Sequence, residues 1–327
     1  MRRAGTPPPF AHSGDEIRPP PADGDLEVLA FRGLPLLALA AAALVGATTA
    51  PASELIDRNA AGATLQVDKQ GRALLTYRAR GRVWHVLAWG AVNARPPDTS
   101  KRQVEFKLDY SGGWGTYRKQ VWKTFVNSCV RYDGPQLAWF VLGCRAPDGS
   151  YWAVQSWQRM LPNYGFAPTA KQAVWELRLS HWTGTLPSLA VKLDWAYRRY
   201  DHLYGTYSYI GHPIFGFRVT RTGVPLDTHA RNLYLDTFNS AYGPGWKREN
   251  SFLTQNPRGN FCYGLFPHGD RPSGKGERYR ATIIGPGVTP DAYWESTAPG
   301  TYNRELDLVA NDEQRALVGD SKLCRPN

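Results

Sequence analysis

Three histidines, His202, His212 and His229, share a stretch of chain with Asp201, Asp227 and Asp236. An imidazole beside a carboxylate can act as a general base, and the same residue types can bind a metal ion. Metal binding needs tighter spacing. The chain has no His-Glu-x-x-His and no close ligand pair, so no metal site is expected. Glycoside cleavage needs two carboxylates facing each other across a cleft, and Asp194, Asp227, Asp236 and Glu249 are the candidates in the same region. A serine nucleophile would need a Gly-x-Ser-x-Gly elbow, which is missing. His85 and His181 sit in apolar runs, where a hydrogen-bonded core histidine is the ordinary use.

Aromatic side chains on turns offer a different chemistry. The chain holds 12 Trp, 17 Tyr and 12 Phe, and several stand beside or close to Gly or Pro: Trp114, Trp152, Tyr242 and Trp246. A ring on a rigid turn presents a flat apolar face with a polar edge, on which a sugar can stack. Arg248 follows Trp246 closely and adds an anion partner. The formal net charge of +11 also favours anionic surfaces. The expected function is an exported, non-catalytic binding protein for an anionic or polysaccharide cell-envelope surface, with Trp114, Trp152, Tyr242, Trp246 and Arg248 as ligand-binding residues. A secreted glycan-directed hydrolase, using carboxylates or a His–Asp pair in the second half, is the alternative, and a structural envelope protein is a third. No cofactor and no nucleic-acid partner are expected.

The compartment follows from the first 52 residues. Met1 to Glu27 is rich in Pro, Gly, Asp and Arg without apolar periodicity, which reads as disorder. Arg32, the apolar run Leu34 to Val45 and Ala50-Pro51-Ala52 then follow the layout of a secretory signal peptide. The apolar run is short for a membrane span, so a membrane contact is expected only if this segment stays uncleaved. All four cysteines, Cys129, Cys144, Cys262 and Cys324, lie beyond it. An even count in an oxidising compartment implies two disulfides. Of three pairings, Cys129–Cys144, closing a local loop, and Cys262–Cys324, tying down the C-terminal tail, are favoured.

The elements that must hold these residues show in the alternation of apolar positions. Val104, Phe106, Leu108 and Tyr110 alternate with Glu105, Lys107 and Asp109, the period of a half-buried strand. The same alternation runs through Trp175 to Leu179 and through Leu189 to Trp195. Tyr117, Val121, Phe125 and Cys129 are instead four apart, which predicts an amphipathic helix over 117–130. Asn311 to Val318 predicts a short terminal helix. Lys107-Leu108-Asp109 returns as Lys192-Leu193-Asp194, and Gly115-Thr116-Tyr117 as Gly205-Thr206-Tyr207. Further matches in the same order, at a spacing of roughly 85 to 99 residues, point to a duplication. The expected fold is mainly β, an antiparallel sandwich-like architecture of two duplicated halves with one inserted helix. The expected divisions are a leader with signal peptide at 1–52, a first β domain at 53–168 and a second, with the C-terminal tail, at 169–327.

Gly112-Gly113-Trp114-Gly115, Ala146-Pro147-Asp148-Gly149-Ser150-Tyr151-Trp152 and Gly245-Trp246-Lys247-Arg248-Glu249-Asn250-Ser251-Phe252 resemble segments of uncharacterised secreted proteins of high-GC actinobacteria. The resemblance covers most of the chain beyond the leader. It implies an extracellular location and carries no activity.

Overall fold

The computed structural model describes residues 53–94, 106–160, 171, 173–196, 200–214, 233–240, 243–250, 259–265 and 275–318. In chain order these form β1 (Glu54–Arg58), β2 (Ala61–Val67), β3 (Ala73–Ala79), β4 (Arg82–Gly90), β5 (Phe106–Asp109), the single turn α1 (Trp114–Tyr117) and a 3-10 turn at Val121–Lys123. There follow β6 (Val130–Arg131), β7 (Phe140–Arg145), β8 (Tyr151–Met160), β9 (Ala173–Trp182), β10 (Ser188–Ala196), β11 (Tyr200–Tyr209) and β12 (His212–Pro213). The last are β13 (Leu233–Ser240), β14 (Gly243–Asn250), β15 (Asn260–Leu265), β16 (Lys275–Ile283), β17 (Ala292–Thr297) and α2 (Arg304–Val318).

The strands make four antiparallel sheets, as the alternation predicts. β2-β3-β4-β5 is one and β1-β9-β8-β7-β6 the second. One apolar cluster joins them: Leu75 and Tyr77 of β3 and Val86 of β4 meet Trp152 and Val154 of β8 and Leu177 and Leu179 of β9. The third sheet is β10-β11-β12 with β15 on β11, and the fourth is β14-β13-β16-β17. Leu203 and Tyr207 of β11, Leu235 of β13 and Tyr279 of β16 close the second core. The architecture is therefore two β-sandwiches, within the unit Thr48–Asn327.

The pairing moves the expected division of the chain. β9 lies beyond residue 168, yet it pairs with β8 and with β1 and so completes the first sandwich. Of the two repeated motifs, Lys-Leu-Asp lies in a strand both times, in β5 and in β10, but Gly-Thr-Tyr is placed differently. Gly115-Thr116-Tyr117 lies in and beside α1, whereas Gly205-Thr206-Tyr207 is mid-strand in β11. There a Cβ on Gly205 would stand 2.0 Å from the Ala190 carbonyl oxygen, so the glycine answers to a close strand crossing.

The helix expected over 117–130 is also corrected. Arg118 takes φ 54 and ends α1. From Asn127 the chain runs extended beside β2, where Ser128 N–H donates to the Val67 carbonyl at 2.7 Å and Val67 N–H to Asn127 Oδ1 at 3.1 Å. Cys129 is bonded to Cys144, closing a sequence separation of 15. Such a loop stabilises by roughly 3 kcal/mol in the chain-entropy account. Cys262 is disulfide-bonded too, and its expected partner Cys324 lies outside the described residues. The longer helix is α2, which starts seven residues before the predicted Asn311. Asn303 caps it, with Oδ1 accepting from Glu305 N–H at 2.9 Å and Leu306 N–H at 3.2 Å. α2 buries Asp307, Asn311 and Gln314 and exposes Leu306, Leu308 and Val309, the reverse of an ordinary surface helix.

The sandwiches meet through polar groups. Asp291, just before β17, accepts from Trp157 Nε1 at 2.6 Å and Gly285 N–H at 2.9 Å, and its own N–H donates to Gln155 Oε1 at 2.8 Å. Arg178 donates to Glu176 at 2.8 Å and to the Ser53 carbonyl at 2.7 Å. Burial alone would raise the Glu176 carboxyl, but Arg178, Arg159 and Arg58 outweigh it and hold it below its usual range. The Trp157 ring packs 5.0 Å from Tyr234 of β13.

Candidate functional site

A hub at the end of β5 presents two exposed aromatic side chains, Trp114 and Tyr117. Asp109 is buried, and accepts from Ser111 N–H and Thr116 N–H, both at 2.9 Å, and from the Ser111 hydroxyl. Burial would raise this carboxyl, but the Ser111 and Thr116 donors prevail and hold it low. Gly112 and Gly113 follow with φ 66 and 96. A Cβ on Gly113 would stand 2.3 Å from Val121 Cγ2, so the backbone can pass here only without a side chain. Tyr117 N–H then bonds to the Gly113 carbonyl at 2.7 Å and closes α1. Trp114 and Tyr117, three apart, emerge on one side of this turn, 59% and 38% exposed.

Tyr117 stands against the β2–β3 turn. The Arg72 guanidinium lies over its ring at 5.1 Å and is held by Asp68 at 2.6 Å. Two adjoining cavities share Gln70, Arg72 and Tyr117. The first, about 420 Å³, adds Asp68, Lys69, Lys119 and Val121. The second, about 610 Å³, adds Gly71, Trp89, Gly90, Asp148 and His181. Together they make a cleft walled by cations and aromatic rings.

His181 closes the floor of the second cavity. It stacks on Trp152 with ring centroids 3.9 Å apart, and its Nδ1 faces the Gly90 carbonyl at 3.1 Å. Its Nε2 faces the Ser150 hydroxyl oxygen at 2.8 Å, and that hydroxyl donates its proton to Asp148 Oδ1 at 2.6 Å. Burial pushes the imidazole down to about 4, against the Gly90 carbonyl and Asp148. A Ser–His contact of this length is the kind that activates a nucleophile in acyl transfer. Here Ser150 is 3% exposed, does not line the cavity and gives its proton to Asp148, so the contact serves the β7–β8 turn.

The residues expected to bind ligand are not brought together. Trp114 is exposed and lines neither cavity. Trp152 is a correction: it is fully buried, because β8 is covered on both faces. Arg248 is a second correction: it is 2% exposed and bonded to Asp236 through both Nε and Nη2, beneath Trp157 and Tyr234. Trp246 is half-buried, with Phe238 at 5.2 Å and the Arg280 guanidinium at 3.8 Å. Tyr242 lies outside the described residues, as do Asp227 and His229. Asp236 is spent on Arg248 and lines neither cavity. His202 lies opposite Asp194 in the β10–β11 register, and burial lowers its imidazole to about 4, against Asp307. Among the described residues no group of three or more His, Cys, Asp or Glu side chains could hold a metal ion, and no helix is long and apolar enough to cross a membrane.

Sequence reasoning passed over Arg72, Tyr117, Lys119 and Trp89. The turn Asp68-Lys69-Gln70-Gly71 and the pair Gly112-Gly113 were the available signals, since each fixes a loop that carries a cleft wall. The chain matches no protein-family model, no curated protein and no solved structure.

Proposed function

We propose that this is an exported, non-catalytic binding protein that holds an anionic or polysaccharide polymer of the cell envelope. The observation that carries the reading is the cleft, where Lys69, Arg72 and Lys119 stand beside Tyr117 and Trp89. Cations draw an anionic chain and flat rings receive sugar faces. Export is supported by the Cys129–Cys144 disulfide, since such bonds persist in oxidising compartments, and by the layout of the leader. The Ser150 hydroxyl beside His181 is buried and gives its proton to Asp148, which favours holding over cleaving.

The test is retention of the protein on purified cell-wall polysaccharide at rising salt. Retention that weakens with salt, and that Lys69→Ala/Lys119→Ala weakens further, is expected. Absence of retention at low salt overturns the reading.

A further inference from the structure

The two ends of the cleft differ in chemistry. At the first end the only acid among the described residues is Asp68. Its Oδ1 accepts from Gln70 N–H at 3.0 Å and Arg72 N–H at 2.9 Å, and its Oδ2 from Arg72 Nε at 2.7 Å. Asp68 and Arg72 therefore cancel, and Lys69 and Lys119 remain as the uncompensated charges there, with no ion pair among the described residues. This end suits a carboxylate or a phosphate.

The second end is acceptor-rich. Asp148 Oδ1 is taken by Ser150 N–H at 3.0 Å and by the Ser150 hydroxyl. Its Oδ2 lies 3.7 Å from where a Cβ on Gly71 would stand, and Gly71 lines the cavity. Burial works to raise Asp148, but the Ser150 donors outweigh it, so the carboxylate stays ionised and open to hydroxyl donors. Trp89 and Tyr117 form the wall, their rings 6.1 Å apart and inclined at 56°. The two cavities, about 420 and 610 Å³, each lie within the ~300–1,000 Å³ of small-molecule sites.

Resting on the binding reading above, we infer that the cleft takes an acidic saccharide of at least two units in one direction. The unit bearing a carboxylate or phosphate lies between Lys69 and Lys119. The next unit stacks on the Trp89–Tyr117 wall and donates its hydroxyls to Asp148. Arg72 and Gln70 sit at the junction and face the linkage. The unlike ends set the direction of the chain, because reversing it would place the anion against Asp148.

The inference is tested by calorimetric titration of the mature protein with four probes: glucuronate, a glucuronate-containing disaccharide, a glycosyl glycerol phosphate and cellobiose. Both acidic two-unit probes are expected to bind at least about tenfold more tightly than glucuronate or cellobiose, a tenfold ratio being about 1.4 kcal/mol. The two acidic probes distinguish a carboxylate source from a phosphate source. Lys119→Ala brings the acidic probes down to cellobiose, with Lys69→Ala as a second variant at the same end. Asp148→Asn, which keeps an Oδ1 acceptor for Ser150, brings the acidic disaccharide down to glucuronate. Near-UV circular dichroism confirms that each variant folds. Equal binding of cellobiose, or an Asp148→Asn variant indistinguishable from the parent, overturns the inference. If wall polymer is still retained in that case, the broader binding reading survives; if neither polymer nor probe binds, both fall.

Discussion

Removing the guanidinium of Arg248 tests whether the buried ion pair between β13 and β14 is a stabilising element or only a tolerated one. The Arg248 side chain is 1% exposed and the Asp236 side chain 7%, so Arg248→Met leaves a carboxyl in a nearly dry site. Breaking such a pair costs roughly 3–5 kcal/mol, mostly the penalty of the orphaned charge. Arg280 also acts on Asp236 and softens the loss, which places the expectation near the lower end, about 3 kcal/mol. Burial already pulls the Asp236 carboxyl upward, with Arg248 opposing. Without Arg248 it takes up a proton more readily, at about 1.4 kcal/mol per pKa unit, so the deficit is smaller at pH 5 than at pH 8. Asp236→Leu/Arg248→Met removes both charges and returns to within about 1 kcal/mol of the parent. Urea unfolding at both pH values reads all three quantities. A single variant that loses less than about 1 kcal/mol, or a double variant as unstable as the single, would refute the reasoning.

Three further outcomes concern the histidines, the Gly113 turn and α2. His181 and His202 are each held down to about 4 from the ordinary 6.5, so the stability they contribute is complete above pH 6.5 and lost as pH falls towards 4. Glu54, raised by burial from 4.5 to about 7 against Arg178, works the other way and loses its contribution as pH rises through that window. His202→Gln removes one of the two histidine contributions and so reduces the loss of stability on acidification between pH 6.5 and 4.5 in denaturant titrations. Gly113→Ala forces a Cβ towards Val121 at a φ of 96 and costs roughly 1–3 kcal/mol by thermal unfolding, with weaker polymer binding as α1 shifts. On α2, Leu306→Ser and Val309→Ser each change stability by less than about 0.5 kcal/mol, because both side chains are exposed. Asp307→Ala costs roughly 1–3 kcal/mol in the same assay, because the Tyr302 hydroxyl and the Asn311 amide lose their acceptor.

Alternation alone determined much of this protein. β5, β9 and β10 are legible because a strand sends successive side chains to opposite faces, so the core positions of a sandwich must recur every second residue. The Cys129–Cys144 pairing was legible for a related reason: two cysteines 15 apart flank one short loop. The segment after Tyr117 misled, because its fourfold spacing is a local pattern, while Gly112, Gly113 and Arg118 set the backbone there and Asn127 ties it to β2.

Only the tertiary structure decided the rest. Trp157 and Asp291 lie 134 residues apart, and no periodicity ties an indole N–H to a carboxylate at that distance in sequence. Asp236 and Arg248 read as surface candidates until Trp157 of the first sandwich packs against them, since burial depends on what packs above a strand rather than on the strand itself. The cleft is the same case. Lys69, Trp89, Tyr117 and Asp148 come from four separate stretches, and sheet packing alone brings their side chains to one place.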